Sequence, residues 1–89
     1  MLQEKNLQEA RKSEEKGLKK LVLFNDDYNT FEFVIFSLRE ICKHDPFQAE
    51  QSAILAHYRG HCVIQVGEEK EIISAKEKLS DLGLIVKVE

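Results

Sequence analysis

The sequence predicts an α+β domain, a three-stranded antiparallel sheet packed against three helices in the order βααβαβ. Three observations carry that prediction. Short apolar runs, "LVLF", "HCVIQV" and "LIVKV", have the length and composition of strands. Three longer stretches between them space their apolar residues helically. Each stretch is bounded by residues that start or stop helices.

The first 17 residues, "MLQEKNLQEARKSEEKG", mix both charges and offer little beyond Met1, Leu2, Leu7 and Ala10 to bury. They are expected to form a mobile extension, leaving residues 18–89 as the domain. "KKLVLFN" is the first strand, and the acidic stretch "DDYNT" turns the chain after it. Asn29 with Glu32 three residues on has the form of a capping box, predicting a helix from there to about Lys43. Its apolar residues, Phe31, Phe33, Val34, Ile35, Phe36, Leu38, Ile41 and Cys42, cover more than one face. Such a helix is either central in the domain or leaves apolar surface for a partner.

A second helix starts at once. Asp45 can cap it, Pro46 suits its first position, Gln48 can reach back to the cap, and Gly60 suits a left-handed end. "HCVIQV" follows as a strand that Gly67 is expected to break. "EEKEIISAKEKLSDL" is the third helix, with Ile72, Ile73, Ala75, Leu79 and Leu82 expected inward and Gly83 at its end. "LIVKV" closes the sheet.

Composition narrows the function. The chain has 89 residues and a net charge of −3, with both signs mixed along it. Phosphate binding needs a concentrated basic surface, so nucleic acid is not expected as a partner. No run approaches the ~20 apolar residues of a membrane span, and the N-terminus lacks a secretion signal's apolar core. A cytoplasmic protein is expected, with Cys42 and Cys62 reduced and packed as small hydrophobes. The "CKH" and "HC" pairings lack metal-ligand spacing, nothing marks either thiol as an activated nucleophile, and Asp26 and Asp27 have no second acidic cluster. No enzyme activity, metal or cofactor is expected.

Recognition is the better reading. Asn25 and Asp27, two apart in the acidic turn, can present polar groups to one side. Ala53, Ala56 and His57 fall at i, i+3 and i+4, one hollow helix face with an imidazole at its rim. Set against the acidic turn, that face makes an apolar pocket rimmed by an amide, a carboxylate and an imidazole. Such a pocket suits a cation beside an apolar side chain. The plainer reading is a capped turn and a helix packed through small residues.

"LVLFNDDYNTFEFV", followed by "AHYRG", resembles the ClpS adaptor family, whose hallmark is N-D-D-Y at a strand end, then E-F-V on a helix, then H-Y-x-G. The resemblance covers residues 19–66 and implies an adaptor without catalysis. Such adaptors bind the N-terminal Leu, Phe, Tyr or Trp of N-degron substrates. They deliver them to a Clp-family AAA+ unfoldase, whose N-terminal domain they dock. Carried over by motif, Asn25, Asp27 and His57 hold the substrate's α-amino group. Asn29, Phe31, Val34, Ala53, Ala56 and Leu84 line the side-chain pocket, with Phe24 close by. Of the family's E-x-A-E-x-K docking stretch, "EIISAK" keeps Glu71 and Lys76. Where the family has T-P-M after the tyrosine, this chain has Asn29, Thr30 and Phe31, and Ala53 and Ala56 replace larger apolar residues. These changes are expected to shift preference towards aromatic N-termini. The alternative is a domain of the same fold that docks to a Clp ATPase without reading N-termini, with Phe31 plugging the pocket.

Overall fold

A computed structural model describes residues 17–89. The expected extension lies outside these residues, apart from Gly17. The order is β1 (Leu18–Phe24), α1 (Phe31–Ile41), α2 (Pro46–Arg59), β2 (His61–Glu68), α3 (Glu69–Asp81) and β3 (Ile85–Val88). The sheet runs β2-β1-β3, with both pairings antiparallel. The α+β architecture and its βααβαβ order are therefore as the sequence predicts.

β1 is central, and its residues alternate. Leu21 and Leu23 point to the helices and are almost fully buried among Leu38, Ala49, Ile72, Leu79 and Leu84. Between Leu21 and Val22 the β2 register slips, because Ile64 is one extra residue on that strand. His44, buried where α1 meets α2, reaches this point: its Nε2 lies 2.6 Å from the Ile64 carbonyl oxygen. A carbonyl can only accept, so Nε2 carries the proton and ties the helix junction to β2.

Local details depart from the sequence reading at four places. The N-cap of α1 is Thr30, whose Oγ1 accepts from Phe33 N at 3.1 Å, and not Asn29. Asn29 is already engaged in the preceding turn, so the helix begins one residue later. α1 ends at Ile41 and not about Lys43, because Lys43 adopts a left-handed φ of 58°. Gly67 does not break β2 but pairs with Lys19 inside it. A Cβ at Gly67 would lie 2.8 Å from Glu71 Oε2, the movable tip of a side chain in the first turn of α3. On α3, Ile72, Ala75 and Leu79 make the buried stripe, whereas Ile73 and Leu82 are about two-fifths exposed. A helix against one sheet buries one such stripe, and Ile73 is turned about 100° from Ile72.

The second helix starts and ends as read. Asp45 accepts from Gln48 N at 2.8 Å, Pro46 opens the helix, and Gly60 ends it at φ 90°. That ending returns the chain directly into β2. Asn25 N donates to Gly60 O at 2.9 Å, which fastens the end of β1 to the end of α2.

Candidate functional site

The turn after β1 is built by one aspartate. Asp26 Oδ1 accepts from Tyr28 N at 2.8 Å and Asn29 N at 2.7 Å, and Oδ2 accepts from Asn29 Nδ2 at 2.9 Å. Partial burial pushes the Asp26 carboxyl up, but these three hydrogen bonds outweigh it and hold its pKa below the ordinary 3.8. Asn29 Nδ2 also donates to Gly83 O at 3.0 Å, tying the turn to the loop before β3. With Asp26 spent on structure, its neighbours Asn25 and Asp27 stay exposed.

Beside this turn lies a cavity of about 300 Å³. Asn25, Asp27, Asn29 and His57 supply polar groups to its lining, and Asp26 and Thr30 also border it. Its apolar wall comes from Leu23, Phe24, Phe31, Val34, Ala53 and Ala56. β1 delivers Phe24 and the turn, the start of α1 delivers Phe31 and Val34, and the last two turns of α2 deliver Ala53, Ala56 and His57. Ala53 and Ala56 are almost fully buried, so short methyl groups form that wall and leave the hollow open.

His57 is exposed on the last turn of α2, between two aromatic rings. Its centroid is 5.3 Å from Phe31 at 57° and 5.0 Å from Tyr58, edge-on at 84°. Phe31 itself is 42% exposed, so it stands beside the cavity and is not packed into the core.

Leu84 does not line the cavity; it is buried among Leu79, Val86 and Leu38. Leu23, Asp26 and Thr30 line it without having been singled out in the sequence. Asp26 carries the one readable signal, a D-x-x-N turn in which the aspartate caps the amides two and three residues on. Glu71 and Lys76 are exposed on α3 and lie off this cavity. Glu71 instead borders a separate groove with Lys70, Ser74 and Lys78.

Cys42 and Cys62 are free and partly buried, packed against the core. Burial pushes the Cys42 thiol up to about 11, so it is protonated at neutral pH, and Cys62 Sγ lies 3.4 Å from Val63 O. Among the described residues, no three histidine, cysteine or acidic side chains come together as metal ligands. No described helix is long and apolar enough to cross a membrane.

Chemically, the cavity sets an amide, a carboxylate and an imidazole beside an apolar hollow. An ammonium has three donors and no acceptor, and these groups can all accept. Residues 7–86 match the family model of ClpS, the ATP-dependent Clp protease adaptor protein. The chain belongs to the ClpS family.

One curated relative spans it end to end. ClpS of Campylobacter jejuni subsp. doylei is 32% identical over 96 aligned positions, covering 100% of this chain and 98% of that one. ClpS 2 of Mesorhizobium japonicum is 34% identical over 71, covering 80% and 70%. Among solved structures, Agrobacterium tumefaciens ClpS2 bound to L-phenylalaninamide superposes with a TM-score of 0.78 at 28% identity, covering 82% of this chain and 95% of that one. As a ClpS protein the chain is a Clp protease adaptor and not an enzyme.

Proposed function

We infer that this ClpS adaptor reads the N-terminal residue of N-degron substrates and hands them to a Clp AAA+ unfoldase. Asn25, Asp27 and His57 accept hydrogen bonds from the free α-ammonium. Phe24, Asn29, Phe31, Val34, Ala53 and Ala56 surround the first side chain. Glu71 and Lys76 contribute to docking on the unfoldase's N-terminal domain. The observation that carries this reading is one cavity lined by both sets of groups, the polar triad and the alanine wall. Its volume, about 300 Å³, is at the small end for ligand sites and suits a single side chain.

Magnitudes agree. Each hydrogen bond to a charged group contributes roughly 1.5–3 kcal/mol. Burial of a large apolar side chain adds about as much. The upper end of that sum, ~12 kcal/mol, less the lower end of the association cost, ~4 kcal/mol, leaves the about −8 kcal/mol of a micromolar complex. The relative solved with L-phenylalaninamide supports the same ligand chemistry, an amino group beside an aromatic ring.

Phe31 and the two alanines set the preference. A stiff ring at the mouth and a hollow wall suit a flat side chain better than a branched one, so aromatic N-termini bind best. Fluorescence anisotropy with peptides differing only in their first residue tests this, with an N-acetylated Phe peptide as control. Phe, Tyr and Trp peptides bind tighter than Leu, and acetylation abolishes binding. Leu binding best would overturn the preference, and indifference to acetylation would overturn recognition itself.

A further inference from the structure

Accepting from an ammonium makes a directional demand on His57. The donor must approach a ring nitrogen near the imidazole plane, so the ring has to stand in one orientation. His57 is exposed on the last turn of α2, where a side chain is ordinarily free to turn. The ring of His44, by comparison, is fixed by its 2.6 Å contact with the Ile64 carbonyl oxygen. The contacts of the His57 ring are instead two aromatic rings, Phe31 and Tyr58.

These two neighbours differ in what holds them. Tyr58 follows His57 directly on the same helix and is 80% exposed, so it gives no fixed support. Phe31 comes from a different element. It is the first residue of α1, whose start is set by Thr30 accepting from Phe33 N at 3.1 Å. The turn before it is closed by Asp26 and tied to the Gly83 carbonyl. Its ring meets the imidazole at 5.3 Å and 57°, a separation and tilt at which aromatic rings attract. The same side chain borders the cavity.

We propose that Phe31 is a positioning residue for His57, holding the imidazole in the orientation that accepts from the ligand's ammonium. This rests on the reading of Asn25, Asp27 and His57 as the ammonium's acceptors. Phe31 then has two tasks, as wall for the first side chain and as brace for the amino site. The two halves of recognition are coupled through it. Phe31→Leu keeps an apolar wall but leaves the imidazole no ring to lean on.

A double-mutant cycle separates brace from wall, because groups that act independently have effects that multiply. Affinity of the full chain for a Phe-initiated peptide is measured by fluorescence anisotropy for Phe31→Leu, His57→Ala and the two combined. His57→Ala should weaken binding at least about tenfold in wild type, and no more than about threefold once Phe31→Leu is present. Phe31→Tyr keeps the ring, and its added hydroxyl can reach solvent. In that background the loss on His57→Ala should stay at about tenfold.

Proton NMR of the protein without ligand reads the brace directly. The His57 ring protons should carry the ring-current shift of Phe31 in wild type and in Phe31→Tyr. In Phe31→Leu they should move towards the values of an exposed histidine, with circular dichroism checking that each variant is folded. An equal loss on His57→Ala with and without Phe31→Leu overturns the proposal, as do His57 protons that Phe31→Leu leaves in place. Neither result touches recognition of the free amino group. An acetylated peptide bound as tightly as the free one overturns that reading, and the brace with it.

Discussion

At the residue scale, the two adjacent aspartates have divided a task. Asp26 closes the turn through three hydrogen bonds, while Asp27 is left exposed on the cavity. Asp27→Ala should therefore abolish peptide binding and leave the melting temperature within error. Asp26→Ala should lower stability by about 1–2 kcal/mol, since it strands two backbone amides and the Asn29 side chain. Acid should act through the same group. Its folded pKa lies below 3.8, so the unfolded chain takes up the proton first as pH falls. The stabilisation is complete above pH 3.8 and is lost as pH drops through the lower folded value. In urea titrations, wild type should thus lose its advantage over Asp26→Ala below pH 3.8, and an advantage constant to lower pH would contradict the assignment. His57 acts on the ligand through a ring nitrogen that can accept from the ammonium, so His57→Ala should weaken peptide binding.

At the scale of elements, how legible the sequence was depended on how local each signal is. The second helix announced both ends because Asp45, Pro46 and Gly60 act on their own backbone. The first helix misled by one residue. Asn29 and Thr30 are both good caps, and the choice between them was made by Asp26 and by the Gly83 carbonyl, 54 positions away. A distant acceptor leaves no mark in local pattern. Gly67 misled similarly, since its pairing with Lys19, far along the chain, keeps it within the strand. Recognition of Thr30 as the cap is testable. Thr30→Ala should cost about 1 kcal/mol by chemical denaturation. Asn29→Ala should also destabilise, but by loosening the turn against the loop at Gly83. In hydrogen exchange, Thr30→Ala should expose Phe33 N, whereas Asn29→Ala should leave that amide protected.

At the scale of the whole molecule, the sheet order is what assembles the site. β1 lies between its two partners, so its end is the one place where the β1 turn, the start of α1 and the end of α2 meet. The motif "NDDYNTFEFV" and the hollow face Ala53–Ala56–His57 named most of the lining in advance, since both are short and each belongs to one element. Leu84 was harder to place: the last strand carries no motif, and the core claims that side chain. The same arrangement makes the part played by residues 1–17 testable. β1 begins at Leu18 and the cavity sits beyond its other end, seven residues away, or roughly 23 Å. Every described element and every described cavity-lining residue lies within residues 18–89. A chain of residues 18–89 should therefore melt within a few degrees of the full chain and bind a Phe-initiated peptide within about twofold. Delivery should separate from binding. With residues 1–17 removed, degradation of a Phe-initiated substrate by the Clp unfoldase and its protease should slow while peptide affinity holds. Loss of affinity in a well-folded truncated chain would instead place the extension in the recognition site. Delivery at an unchanged rate would leave docking to the folded domain alone.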